Sequence, residues 1–283
     1  MPVSESVIKE HLGRALTEVD LSGFGPVNRG KVRDACDFGN GTVALVTTDR
    51  QSAFDRVLAL VPSKGRVLNE LAVWWFQQTC DIVANHLIAV PHPNVTIARK
   101  IKPIPVEVVV RAFNTGSTET SVWTAYEKGV RDFCGNVLPE GMVKNQPFEK
   151  VILTPTTKSD THDEQISPAE IIARGLLTSE QWDEVARVAL ALFVRGQEIA
   201  QRGGLILVDT KYEFGYDENG KLVLIDEIHT PDSSRFWIAA TYAERFAAGQ
   251  EPDCVDKEFL RLWFTKQCDP YTANPLPEAP KNW

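Results

Sequence analysis

Asp209, Lys211 and Glu213 alternate along LVDTKYEFG, and Asp226 follows the apolar run LVLI a few residues downstream. Side chains on a strand alternate between faces, so these three share one face while Tyr212, Phe214 and Tyr216 share the other and read as core. Asn219-Gly220, between the two runs, favours a two-residue hairpin turn. Such a turn sets Glu213 directly opposite Asp226. Two carboxylates ~5 Å apart on one face repel each other unless a cation lies between them. Oxygen ligands on strands suit Mg²⁺ shared with phosphate oxygens, which makes Glu213 and Asp226 candidate metal ligands. The plainer alternative is a surface cluster in which Lys211 bridges two acids. Zinc is disfavoured, because the five histidines show no metal-binding spacing.

Anion sites are suggested elsewhere. In Asn28-Arg29-Gly30-Lys31-Val32-Arg33-Asp34 a lone glycine stands among basic residues. That turn either folds over phosphates, with Lys31 as a point charge, or is an ordinary charged turn. Arg111, at the end of an apolar strand, and Gly116-Ser117, at an expected helix start, form a second candidate, with a plain helix cap as the alternative. Lys158, His162 and Asp163 lie in the polar loop TPTTKSDTHDEQIS, and long ordered loops are often functional. Thr230 to Arg235 offers hydroxyls and a guanidinium but no nucleophile signature, which argues against serine hydrolysis.

The elements that must position these residues are legible in outline. Ser4 can cap a first helix carrying Ile8, Leu12, Ala15, Leu16 and Val19 on one stripe and ending near Ser22-Gly23. Strands are expected at 42–48, 95–102 and 106–111, with a helix over 68–83. A helix is expected from Ser117-Thr118 to Gly129. Ser167 to Glu170 and Thr178 to Gln181 are capping boxes, the second opening a long helix that Gly203-Gly204 stops. Strands 205–216 and 221–228 flank the hairpin turn, and the Pro-rich tail after Asp269 is expected to wrap the surface.

Composition bounds the function class. The chain has 283 residues, 43% apolar and 24% charged, with a net charge of −8. This is an ordinary globular balance, long enough for one large domain or two lobes. The net charge has the wrong sign for a surface that neutralises a nucleic-acid backbone, and no apolar run reaches the ~20 residues that span a bilayer. Neither nucleic acid nor membrane is an expected partner. Five cysteines without a CxxC pair argue against a disulfide framework. Charged residues interrupt the N-terminal apolar residues, so a cytoplasmic address is the expectation.

Six blocks carry a family resemblance: GKVRD at Gly30, TTDRQSAFD at Thr47, PIPVEVVVRAFNTGS at Pro103, TPTTKSDTHD at Thr154, LVDTKYEFG at Leu207 and IDEIHTPDSSRFW at Ile225. In these blocks, in order along almost the whole chain, the sequence resembles the phosphoribosylaminoimidazole-succinocarboxamide synthase (SAICAR synthetase) family. Gln51 stands where that family more often has an aliphatic residue, and Ala112-Phe113 varies a tolerant stretch; neither touches a charged site.

The resemblance implies an α+β fold, with a β-rich ATP-binding lobe over 1–105 packed on a larger α/β substrate and metal lobe over 106–283 and the site in the cleft. It implies a ligase of purine biosynthesis, in which ATP, L-aspartate and carboxyaminoimidazole ribotide (CAIR) give SAICAR, ADP and phosphate. ATP and Mg²⁺ are the implied cofactors. Gly30, Lys31 and Arg33 match the loop over the ATP phosphates, Ile101 to Pro103 the adenine-side hinge, and Glu213 with Asp226 the magnesium ligands. Arg111, Ser117, Asp209, Lys211 and Arg235 match the CAIR-binding residues, while Lys158 and the pair His162-Asp163 stand near the reacting groups. Lys211, Asp209 and Lys158 are thus the candidate catalytic residues, with Asp209 and Asp163 both open as acceptor of the amine proton. Monomer and homo-oligomer both remain open. A small-molecule kinase and a non-enzymatic nucleotide sensor are the competing readings; aspartate dependence separates the first, and a missing metal carboxylate would mark the second.

Overall fold

The computed structural model describes residues 10, 13–158 and 164–280. They fall into two compact units, the first formed by residues up to 74 with 86–100 and 260 onwards, the second by 75–85 and 101–259.

In the first unit, strands β1 (Val27–Arg29), β2 (Arg33–Asp37) and β3 (Thr42–Thr47) run antiparallel in sequence order. β4 (Arg50–Ala53) and β5 (Arg56–Leu60) form a separate hairpin. β6 (Leu87–His92) and β7 (Val95–Arg99) complete the first sheet, in the order β1-β2-β3-β7-β6. The expected N-terminal helix does not extend over 14–21, which carry no helix. Leu16 is held instead by Asp49, whose carboxylate accepts its amide at 2.8 Å and whose own amide donates to its carbonyl. A tertiary partner thus takes the backbone groups that a helical turn would use. Residues 4–9, 11 and 12 of the expected helix lie outside the described residues.

The helix Lys64–Gln78 starts earlier than the expected 68 for the same kind of reason. Asp49 accepts from Ser63 N (3.1 Å) and Gly65 N (2.8 Å), so its cap is a residue remote in sequence.

The second unit is built on β8 (Val106–Asn114), β9 (Gln146–Leu153), β10 (Leu205–Tyr216), β11 (Leu222–Ile225) and β12 (Ser234–Ile238). β10 is central: its first half pairs β12, its middle pairs β8 and its end pairs β11, all antiparallel. The long helix Ser179–Arg202 has its Thr178/Gln181 capping box and buries Trp182, Val185, Val188, Leu192 and Phe193. Val108, Val110, Tyr212 and Phe214 are also fully buried, so the core lies on the face of β8 and β10 away from Arg111 and Asp209.

Two expectations in this unit are corrected. The helix after Ser117 covers only Val122–Glu127, because Ser121 is its cap and Ser117 lies outside it. The hairpin joining β10 to β11 has a longer loop than the two-residue turn. Asp217 N bonds Lys221 O, Gly220 N bonds Asp217 O, and Gly220 takes a φ of +72°. The glycine occupies the left-handed position that closes a three-residue loop, which moves the register by one residue.

Candidate active site

That shift decides what faces what. Glu213 pairs with Ile225, not with Asp226. Asp226 follows the strand, in a left-handed conformation with a φ of +66°, at the start of the loop to β12. The pairing argument for a metal therefore fails as stated, although Asp226 still lies close enough to Lys211 to raise the pKa of its ammonium.

What Glu213 meets instead is a pair of lysines. Lys211 Nζ donates to Glu213 Oε1 at 2.7 Å and to Glu107 Oε1 at 2.9 Å, while Lys158 Nζ donates to Glu213 Oε2. Burial alone would raise the Glu213 carboxyl, but the ammonium groups of Lys211 and Lys158 outweigh it and hold the group down at about 2. Glu107 goes the other way. Burial and the neighbouring Glu213 charge push it up to about 7, against the pull of Lys211. Three carboxylates (Glu107, Glu213 and Asp226) thus surround two ammonium groups in a mostly buried setting. Sequence reasoning missed Glu107. Its signal was there: a lone acid in the apolar run VEVVVR, two strand periods from Arg111 and so on the same face.

A second cluster crosses three strands on one rung. Asp209 on β10 pairs with Arg111 on β8 and with Arg235 on β12. Its Oδ2 accepts from Arg235 Nη1 at 2.6 Å and from Arg111 Nη1 at 3.2 Å. Arg111 Nε donates to Thr154 Oγ1 at 2.8 Å, and Arg235 Nε to Glu258 Oε2 at 3.3 Å. All four charged groups are buried, so each guanidinium needs its carboxylate. Arg235 Nη2 meets no acceptor among the described residues and lies 3.0 Å from where a Cβ on Gly116 would stand. The adjacent Ser117 Oγ is buried without a hydrogen-bond partner among the described residues. A guanidinium N–H and a hydroxyl at one turn are ready-made donors for an anionic or polar ligand, without the helix N-terminus expected there.

Ile101 to Pro103 runs along the other end of β10, where Pro103 forms a bridge with Gly215. A Cβ on Gly215 would lie 2.4 Å from Lys102 O, so only glycine allows this approach. The loop Gly30–Arg33 belongs to the first unit, where it closes the β1–β2 hairpin and Lys31 Nζ meets Asp55 Oδ1 at 2.5 Å. His162 and Asp163 lie outside the described residues.

Among the described residues no three acidic, histidine or cysteine side chains form a closed metal cage. Mg²⁺ does not need one, since it takes one or two carboxylates and fills its shell with phosphate oxygens and water. Glu213 and Asp226 fit that pattern: each Glu213 oxygen keeps a lone pair beyond its lysine bond, and the surrounding acids outnumber the lysines.

Comparison with known proteins places the chain in one family. The SAICAR synthetase family model matches residues 26–277. The phosphoribosylaminoimidazole-succinocarboxamide synthase of Legionella pneumophila (strain Lens) is 60% identical over 266 residues, covering 94% of this chain and 85% of that protein. The chloroplastic enzyme of the same name from Vigna aconitifolia is 55% identical over 99% of this chain and 83% of its own. Among solved structures, SAICAR-synthase from Saccharomyces cerevisiae complexed with SAICAR superposes with a TM-score of 0.79 at 34% identity, covering 94% of this chain and 92% of that one. A type-2 SAICAR synthetase in complex with ADP gives a TM-score of 0.69 at 26% identity, over 86% of this chain and 92% of that one. This chain belongs to the SAICAR synthetase family.

Proposed function

We propose that the protein is an ATP-dependent ligase of purine biosynthesis that joins L-aspartate to the carboxylate of CAIR, giving SAICAR, ADP and phosphate. The observation that carries this reading is the 60% identity to a synthase of that name over nearly the whole of this chain. The two charged clusters on one face of β8 and β10 support it.

In this reaction the CAIR carboxylate attacks the γ-phosphorus, ADP leaves, and the aspartate amine displaces phosphate from the resulting acyl phosphate. No protein nucleophile is required, so the chain contributes positioning and charge neutralisation. Gly30, Lys31 and Arg33 hold the ATP phosphates, and Ile101 to Pro103 border the adenine. Arg111, Ser117, Asp209, Lys211 and Arg235 hold CAIR. Lys158 and Lys211, both on Glu213, present ammonium groups to the charge that develops during phosphoryl transfer. Mg²⁺, when bound by Glu213 and Asp226, neutralises phosphate charge. The first unit would form the ATP-binding part and the second the substrate and metal part; residues 75–85, 101–105 and 260–280 thus fall on the other side from where a break at 105 puts them. No helix among the described residues is long and apolar enough to cross a membrane, and the cytoplasm is the proposed address.

The test is ADP release with Mg·ATP and CAIR, with and without L-aspartate, following the product by mass. SAICAR formation with aspartate-dependent ADP release is expected. ADP release that needs no aspartate and leaves a stable phosphorylated product would identify a kinase instead, and the absence of ATP consumption would identify a sensor.

A further inference from the structure

Arg50 is the first residue of β4 and part of no cluster described above. Its guanidinium reaches behind the Gly30–Arg33 loop. Nε donates to Lys31 O at 3.2 Å, Nη2 to Gly30 O at 3.1 Å, and Nη1 to Thr17 O at 2.7 Å. Nη2 also pairs with the carboxylate of Asp34, a fully buried residue whose other oxygen takes Arg29 Nη1 at 3.1 Å. Thr48 holds the next carbonyl: its amide and hydroxyl both donate to Val32 O, at 3.0 and 2.5 Å. Three successive carbonyls of the loop are therefore taken from one side by Thr48 and Arg50.

The planar trans peptide turns this into a statement about donors. In each peptide unit the N–H points opposite to the C=O. Fixing the carbonyls of Gly30 and Lys31 toward Arg50 sends the amides of Lys31 and Val32 to the other side. Neither amide donates to an acceptor among the described residues. Successive amides facing one way form an anion-binding concavity. Arginine suits the anchoring task, because its rigid fork holds several acceptors at once while lysine presents a single flexible point.

We infer that Arg50 is a positioning residue for the nucleotide: by holding the Gly30 and Lys31 carbonyls it aims the Lys31 and Val32 amides at the phosphates. This rests on reading the Gly30–Arg33 loop as the ATP loop. Arg50→Lys keeps the charge beside Asp34 but loses the fork. The full chain carrying it is expected to bind ADP ~10-fold more weakly by calorimetry, with KM for Mg·ATP raised by the same factor. KM for CAIR and for aspartate should stay within about twofold, a split that a general loss of structure would not produce. Thr48→Val, which removes only the hydroxyl bond to Val32 O, should weaken ADP in the same direction by a smaller factor. Lys31→Ala serves as the control for the loop. ADP affinity that falls in Lys31→Ala but not in Arg50→Lys overturns the inference and leaves the loop reading intact. Affinity unchanged in both overturns both, and a parallel rise of all three KM values in Arg50→Lys reduces Arg50 to a structural role.

Discussion

Glu213 carries the largest share of the chemistry assigned to any one side chain. It neutralises two lysines and is a proposed Mg²⁺ ligand, so Glu213→Gln should lower turnover by ~10²–10³-fold. Excess Mg²⁺ should restore part of the loss if the residue is a ligand. Lys211 keeps Glu107 as a partner in that variant, so the fold is expected to survive, which thermal melting checks. Near-normal turnover at ordinary Mg²⁺ would remove the metal assignment. Residue types and spacing pointed to Glu213 without help from the structure. The lysine contacts could not be read the same way, because Lys158 reaches Glu213 from a loop 55 residues away.

At the scale of elements, the loop from β11 to β12 carries Asp226, and its anchor is His229. The imidazole is fully buried, with Nε2 2.5 Å from Tyr212 Oη and the ring edge-on to Trp75. Burial holds its pKa down at about 3, against 6.5 for a free histidine. The folded state therefore refuses a proton that the unfolded chain accepts below pH 6.5, and stability falls as the pH drops from 6.5 toward 3. The slope from this group approaches ~1.4 kcal/mol per pH unit at full effect. Urea unfolding of wild type and His229→Asn between pH 7.5 and 5 should show a shallower fall in the variant. An identical slope in both would mean that His229 titrates normally. Hairpin patterning placed the strand Leu205–Tyr216 correctly, but the turn took three residues and the second strand ends at Ile225 instead of running to 228, which leaves Asp226 out of the ladder and in the loop.

For the whole molecule, the last described residues belong with the first ones. Leu260 and Phe264 share a cluster with Ala53, Phe54 and Leu58, against which Leu276 and Ala279 pack. Arg56 Nη1 donates to Ala273 O at 2.7 Å and to Pro270 O at 3.3 Å. Removing the chain after Gln267 should uncover this cluster, cost ~2–3 kcal/mol of apolar burial and lower Tm by ~5–10 °C. A melt that does not move would show the tail to be dispensable.

The sequence by itself determined three of the second unit's strands in outline, both capping boxes and the family, because those depend on local periodicity and on motifs contiguous in the chain; the strands Gln146–Leu153 and Ser234–Ile238 it did not show. Only the tertiary structure decided where the helix at Lys64 starts, what Glu213 faces and which partners hold Arg50 and Arg235. Those outcomes depend on carboxylates and carbonyls brought from distant parts of the chain, as when Asp49 caps the helix at Lys64 and displaces the one expected through Leu16.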